Sequence, residues 1–395
     1  MKVFGSILGV VAVLVIAGGA LAVATDFRGK STSNPAAPTQ SLSPAAETTT
    51  AVAETSAAAV ESVVDVDGVS GTEPIAPVGP TPTAVVQDVQ VGQPALEVVT
   101  FPLASVEATY TESHQFGSIT VRFRPGAYSP EYAAEIARKT EEARAEANAK
   151  IQQAWTSDLT VFLADQLFAE DCLGCQGFTE SDFRWIFMLD DGSVIPDEFE
   201  ALLVHEMTHL IAGNTIHLPF DIFYVEGLAM WVMTDDLLEH GYVSPVQATA
   251  WVHEAGELPS LQEFMHDDFA GRMRKRVYYD AAGAFASYVI DTYGWDAFVS
   301  LYRQNAIESV LGKPLAEIEA EWHSYLDPYR TQTLNGVGAV EWWGAASDVI
   351  AAYGRFYVDP TVYSAEQYRL LTLSRLALNR ADAGNALNYL AQSGV

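Results

Sequence analysis

The pentapeptide His205-Glu-Met-Thr-His209 constrains the fold of this 395-residue chain more than any other feature. On an α-helix, residues i and i+4 lie about one turn apart on the same face, so both imidazoles can reach one divalent ion if this segment is helical. Glu206, between them, can then reach a water bound to that ion. The pentapeptide therefore predicts a helix that carries a metal site.

The residues around the pentapeptide, 197–213, have the pattern of one buried amphipathic helix. Pro196 suits a first turn, the acidic residues that follow suit the positive end of the helix dipole, and Gly213 suits a helix end. Within the pentapeptide only Glu206 carries a full charge, whereas a solvated surface helix would carry more. The alternative is a buried helix whose histidines only satisfy hydrogen bonds.

Catalytic zinc normally takes three protein ligands and leaves a fourth position for water, so a third ligand is expected downstream. Glu226 is the main candidate, because it stands near the start of a second apolar segment, 223–232, that can pack on the first helix. Its other interpretation is a carboxylate favoured by the dipole of that helix. The rival ligands are His217, His240 and His253, and His217 has the wrong spacing for a metzincin.

Three sequence blocks together resemble the peptidase MA-like gluzincin family, which has a thermolysin-like core. The blocks are His205-Glu-Met-Thr-His209, Glu226-Gly-Leu-Ala229 and Tyr279-Asp-Ala-Ala-Gly-Ala-Phe-Ala-Ser-Tyr-Val-Ile-Asp-Thr-Tyr-Gly294. Upstream, the resemblance extends to an opening strand at 118–125, a long helix at 131–153 and a second strand at 159–164. It covers roughly residues 110 to 330.

The resemblance implies one zinc ion bound by His205, His209 and Glu226, with Glu206 as the general base. When bound, zinc would activate a water and polarise the scissile carbonyl. Glu206 would take the proton of that water and pass it to the leaving amine. Tyr279 matches a tyrosine of the family's late helix and is the candidate donor to the oxyanion. The implied substrate is a peptide or protein.

One position departs from the family pattern. Met230 stands where thermolysin has an aspartate that orients a histidine ligand, which leaves the partner of that histidine open. Asp221, Asp235 and Asp236 are the residues that can substitute for it.

An uncharged run, residues 3–24, predicts export of the remainder of the chain, and it is long enough to cross a bilayer as a helix. Its end, Ala22-Val-Ala24, resembles a signal-peptidase site, so an uncleaved single-pass anchor and a cleaved signal peptide both stay open, the anchor being favoured because the run is long. Either outcome places the rest outside the cytoplasm, at the cell membrane or secreted.

The stretch that follows predicts a disordered linker. No Lys or Arg occurs from Ser31 to Val121, and no aromatic residue from Arg28 to Thr100. A segment of Ala, Thr, Ser, Pro and Val with scattered acids cannot bury enough apolar area to offset its ordering entropy. We assign residues 1–25 to the anchor or signal, 26–105 to the linker, 106–330 to the catalytic domain and 331–395 to a C-terminal helical module.

Cys172 and Cys175 are the two cysteines of the chain. A single Cys-x-x-Cys pair cannot build a structural zinc site, and no thioredoxin-like context surrounds it. In an exported protein we expect a local disulfide. The disulfide would close a loop before the predicted strand at 184–189.

The net charge restricts the possible binding partners, and the sequence pattern predicts the elements at the C-terminal end. The net charge of −30 argues against nucleic-acid binding and against adhesion to anionic lipid. Residues 338–343 predict an aromatic turn, and helices are expected at 345–353 and, as a helical hairpin, within 365–391. The predicted fold is α+β and mainly helical, with a small mixed sheet packed on an active-site helix pair of zincin type, plus the C-terminal hairpin.

The sequence thus predicts an extracytoplasmic zinc metallopeptidase. The competing hypothesis is a metalloprotease-like fold without catalysis that binds surface proteins or wall polymers through its C-terminal hairpin. Retention of His205, Glu206, His209 and Glu226 favours the enzyme. The oligomeric state and the substrate specificity do not follow from the sequence.

Overall fold

A computed structural model describes residues 98–100, 103–165, 167–169, 176–190, 196–216, 221–265, 275–358 and 363–395. The predicted anchor or signal, most of the linker, and both cysteines with their predicted disulfide lie outside the described residues. Among the described helices, none combines the length and the apolar character needed to span a bilayer.

The strands form one small mixed sheet and one minor pair. The minor pair is parallel and joins β1 (Val98–Thr100) to β5 (Leu167–Ala169). The five-stranded sheet has the order β2-β3-β4-β7-β6. Its strands are β2 (Glu112–Phe116), β3 (Ile119–Phe123), β4 (Leu159–Ala164), β6 (Gly177–Glu180) and β7 (Trp185–Leu189).

Pairing in the sheet follows from burial. The three inner strands β3, β4 and β7 run parallel, and β4 and β7 are almost continuously apolar because both faces of the sheet are covered there. Hairpins add the antiparallel edge strands, β2 on β3 and β6 on β7. Strand β6 was not predicted from the sequence, and it lies directly against the helix that carries the pentapeptide.

Helices make up most of the described chain. In order they are α1 (Leu103–Thr109), α2 (Pro130–Lys150), α3 (Pro196–Thr215), α4 (Ile222–Val232), α5 (Thr234–Glu239), α6 (Pro245–Glu254), α7 (Leu261–Phe264), α8 (Lys275–Tyr293), α9 (Trp295–Gln304), α10 (Ile307–Leu311), α11 (Leu315–Arg330), α12 (Ala339–Val358), α13 (Ala365–Asn379) and α14 (Ala383–Ser393). The α+β class with a mainly helical content is therefore confirmed, and the zincin-type identity stays a prediction.

Several predicted boundaries need correction. Helix α3 continues two residues beyond Gly213, and the buried Ile216 follows directly after its end. Residues 339–343 are not a turn but the first turns of α12, since Trp342, Ala345 and Val349 form one buried helical stripe. The C-terminal hairpin is confirmed as α13 and α14.

Helix α3 is held between the sheet and two other helices. It packs on β6 and β7 on one side and on α2 and α4 on the others. Its apolar residues Leu203, Met207, Leu210 and Ile211 are fully buried, which explains why so few charges occur along it. The pentapeptide is thereby fixed inside the protein, next to α4 and to the edge strand β6.

Helices α4 and α8 cross at close range because each carries a glycine at the crossing. A Cβ atom placed on Gly227 would lie 2.6 Å from the backbone oxygen of Ala282, and one placed on Gly283 would lie 2.7 Å from Met230 Cβ. These glycines belong to the second and third sequence blocks. They bring Glu226 on α4 and Tyr279 on α8 to the same part of the structure.

The substitution Gly227→Ala is expected to destabilise the fold by about 1–3 kcal/mol, because a rigid backbone oxygen occupies the space of the new methyl group. Urea denaturation measures the effect. Gly344→Ala in α12 is the matched control, since no neighbouring atom lies within 4 Å of its Cβ position. The control should stabilise the helix by about 0.5–1 kcal/mol. A loss of stability in both variants would contradict the close-crossing explanation.

Candidate metal centre

Three potential ligand atoms form a nearly equilateral triangle. His205 Nε2 lies 3.0 Å from His209 Nε2, and Glu226 Oε2 lies 3.2 Å from the first and 3.4 Å from the second. A tetrahedral zinc with bonds near 2.0–2.1 Å separates its ligand atoms by about 3.3 Å. The triangle therefore matches three corners of such a site. The predicted ligands His205, His209 and Glu226 are brought together, and among the described residues this is the one such group able to hold a metal ion.

The helices explain how the triangle arises. His205 and His209 are one turn apart on α3, as the spacing requires. Asp221 starts α4 by accepting a hydrogen bond from the Phe223 backbone N–H at 2.9 Å, and Glu226 follows on the first turns. The prediction that a second helix begins near residue 223 is confirmed.

The site is deeply buried, and its polar atoms need a partner. His205, His209 and Glu226 are 4%, 3% and 0% exposed. Among the described residues, neither carboxylate oxygen of Glu226 accepts a well-directed hydrogen bond, and His205 Nδ1 has no partner. A buried carboxylate is costly unless it is hydrogen-bonded, paired or bound to a metal. The donor set of two imidazoles and one carboxylate fits zinc.

The ionisation of the ligands reflects their mutual contact. Burial opposes the charge of Glu226, but the neighbouring His209 and His205 outweigh it and lower the pKa of the carboxyl to about 2. Burial likewise opposes the charge of His209, and the Glu226 carboxylate outweighs it, so the pKa of His209 is raised. The Glu226 carboxylate thus favours the protonated form of the His209 imidazole.

Glu206 lies beside this triangle, and residues of the edge strand β6 pack against it and hydrogen-bond to it. It is 1% exposed and interacts electrostatically with both histidines. The Thr179 hydroxyl on β6 lies 2.8 Å from Glu206 Oε2, to which it donates, and 2.9 Å from the Glu206 backbone oxygen. A Cβ atom on Gly177 would lie 3.1 Å from Glu206 Oε1. Thus β6 leaves room for the carboxylate and fixes its orientation.

Burial raises the pKa of the Glu206 carboxyl above its ordinary value, against the opposing effects of the two histidines and of Thr179. A carboxylate with a raised pKa is a stronger base than a solvated one. The raised pKa therefore suits Glu206 for accepting a proton.

Tyr279 is the more distant of the predicted catalytic residues. Its ring centroid lies 6.3 Å from that of His205, and the side chain is partly exposed. The structure therefore brings Tyr279 near the metal ligands, while its role in catalysis stays a prediction.

The rival ligands lie apart from the triangle or outside the described residues. His217 is outside them. His240 ends α5, where its Nδ1 atom lies 2.8 Å from the Asp236 backbone oxygen. His253 on α6 stacks on His323 of α11 with ring centroids 4.3 Å apart. Neither belongs to the ligand group.

Two of the three acidic residues considered as partners of the histidines have other contacts. Asp221 caps α4, and Asp235 forms an ion pair of 2.5 Å with Lys150. Met230 lies in the α4–α8 crossing against Gly283, where a charged side chain would be buried. An apolar side chain therefore fits position 230 better than an aspartate would.

Two residues near the site were missed from the sequence. Thr179 was missed because its strand is short and weakly patterned. Tyr302 on α9 is 2% exposed, and burial together with the negative charge of Glu226 raises the pKa of its hydroxyl. No spacing in the sequence relates Tyr302 to Glu226, because their proximity depends on how α9 packs on α4.

Zinc affinity is expected to rise with pH. The histidines must lose their protons to bind a metal, and the raised pKa of His209 places this loss above its ordinary value of 6.5. Glu226, with a pKa of about 2, stays ionised at every pH of interest. Below the pKa of His209, affinity should fall about tenfold per pH unit for each proton released. Chelator-competition titrations from pH 5 to 8 measure it, and a constant affinity would contradict this assignment.

Comparison with family models and with curated proteins finds no match to this chain.

Proposed function

We propose that this chain is a zinc-dependent metallopeptidase that hydrolyses peptide bonds outside the cytoplasm. One observation carries the proposal: the ligand triangle of His205, His209 and Glu226 has the size of a tetrahedral zinc face, and Glu206 is held beside it. The spacing of these residues along the chain also resembles that of peptidase MA-like gluzincins. The apolar N-terminal run supports export through, and attachment to, a membrane.

Metal binding, proton transfer and positioning fall to different residues of the site. His205, His209 and Glu226 would hold the ion, which when bound would supply an activated water and polarise the scissile carbonyl. Glu206 accepts a proton from the water as the water oxygen bonds to the carbonyl carbon. When the C–N bond breaks, Glu206 returns this proton to the leaving amine. Thr179 donates a hydrogen bond to the Glu206 carboxylate and so fixes its orientation.

A three-ligand set with a free fourth position distinguishes a catalytic zinc from a structural one. The ligands come from two helices only, and the third donor is a carboxylate, as in the gluzincin type. A fully buried structural site would gain nothing from a fourth ionisable residue such as Glu206, which costs free energy to bury. The presence of Glu206 in this place therefore favours hydrolysis.

Digestion of a mixed peptide library by the zinc-loaded chain tests the proposal. We expect new peptide termini that disappear when the zinc is chelated and return when zinc is restored. Hydrolysis of an acylated amine without cleavage of any peptide would replace the proposal by hydrolysis of another amide. Absence of both in a folded, zinc-loaded chain would favour the binding module.

A further inference from the structure

Arg375 on α13, one of the C-terminal helices, contacts two residues that lie close to the candidate site. Its guanidinium binds both carboxylate oxygens of Glu198 on the first turn of α3, at 2.6 and 2.9 Å. The Nη2 atom of Arg375, which donates one of these two hydrogen bonds, also donates to the side-chain oxygen of Gln176 at 2.9 Å. Gln176 directly precedes strand β6. Arg375 therefore joins the start of α3 to the start of the edge strand.

Burial and neighbouring hydrogen bonds stabilise the Arg375–Glu198 pair. Glu198 is 6% exposed and also accepts a longer hydrogen bond of 3.4 Å from Asn379. The backbone of Asn379 is itself bound, since its oxygen accepts from the Val243 N–H at 2.6 Å. A bidentate arginine–carboxylate pair is among the stronger and more directional polar contacts in proteins, and here the carboxylate partner is buried.

The two elements that Arg375 joins are the ones that hold Glu206. The Cβ position of Gly177, next to Gln176, lies 3.0 Å from Glu206 Cγ, and Thr179 donates to the Glu206 carboxylate. Glu206 itself lies on α3, about two turns after Glu198. A shift of β6 relative to α3 would consequently move the hydroxyl of Thr179 away from Glu206 Oε2.

We infer that Arg375 and Gln176 are positioning residues for Glu206, so that the C-terminal helices form part of the catalytic apparatus. The inference rests on the proposed function and extends it, because it assigns a role in the same reaction to residues 331–395. It differs from the competing hypothesis, in which the C-terminal hairpin binds a separate partner. Neither Arg375 nor Gln176 touches the metal ligands in the contacts described above, and their effect passes through β6.

Substitution of Gln176 in the full chain tests the inference, because it removes the link to the strand and keeps the Arg375–Glu198 pair. Gln176→Leu has no acceptor for Arg375 and is expected to lower kcat about tenfold or more, since small misplacements of catalytic groups have effects of this size. Zinc content and KM should change little. Gln176→Glu retains an acceptor oxygen and should restore kcat to near the parent value.

Arg380→Ala is the matched control. Arg380 follows Arg375 on the same side of the module and pairs with Asp197 at 2.5 Å, on the same turn of α3, yet this pair does not include the strand. We expect its kcat to stay within about twofold of the parent, as for other exposed ion pairs. Arg375→Ala should lower kcat at least as much as Gln176→Leu, and Tm measurements show whether that variant folds.

Two outcomes separate failure of this inference from failure of the proposed function. If the parent cleaves peptides and Gln176→Leu matches its kcat, the inference is wrong and the proposed function stands. If the zinc-loaded parent cleaves no peptide, the proposed function is contradicted and the inference with it. Equal losses in Gln176→Leu and Gln176→Glu would also contradict the inference, because a lost acceptor could not then be the cause.

Discussion

Glu206→Gln is expected to lower kcat/KM for peptide hydrolysis by a factor of about 10² to 10⁴ while zinc stays bound. The amide has nearly the same shape as the carboxylate, and its oxygen can still accept the hydrogen bond from Thr179. What it cannot do is take a proton from the water. The loss should therefore fall on kcat, with KM and zinc content near the parent values.

Glu200→Gln is the control for this variant. Glu200 lies on the same helix and pairs at the surface with Lys139 of α2, away from the ligand triangle. It should leave the rate unchanged. Initial rates on one fluorogenic peptide, with zinc measured in the same samples, decide the result. Retention of full activity in Glu206→Gln would show that this residue is not the base.

Glu226→Ala is expected to abolish tight zinc binding, and activity with it. Its carboxylate is the only negatively charged ligand in the triangle, and the two histidines alone leave zinc without a third protein donor. After dialysis, the parent should hold about one equivalent of zinc and the variant close to none. His209→Ala should behave in the same way.

Thermal unfolding gives a second readout for the ligand variants. A ligand that binds only the folded state stabilises it by about 2.7 kcal/mol at a hundredfold excess over Kd. Chelation should therefore lower the Tm of the parent and leave that of Glu226→Ala unchanged. His240→Ala, an exposed histidine outside the triangle, should respond to chelation as the parent does. Zinc retained in Glu226→Ala would assign the third ligand elsewhere.

The local parts of the site could be predicted from the sequence because they depend on spacing within one or two helices. Two histidines four residues apart, a proline and acids at the start, and a buried stripe predict α3 and the orientation of its side chains. Glu226 could be proposed because it stands in an apolar segment in which a second helix was expected to begin.

The remaining parts depend on pairing across long distances along the chain. Strand β6 has one large apolar residue, Phe178, and forms because β7 provides hydrogen bonds to it. Arg375 and Glu198 are 177 positions apart, and no pattern near either residue indicates the other. Likewise, Trp342 and its neighbours suggested a turn, whereas the helix becomes stable because Trp342 is buried and donates to the Leu378 backbone oxygen.

A crystal structure of the zinc-loaded chain tests the central claim most directly. We predict one zinc bonded to Nε2 of His205, Nε2 of His209 and a carboxylate oxygen of Glu226, at about 2.0–2.2 Å. The fourth ligand should be a water within hydrogen-bond distance of Glu206. Zinc bound at other residues, or a fourth position closed by a protein ligand with Glu206 turned away from it, would contradict the claim that this site hydrolyses peptide bonds.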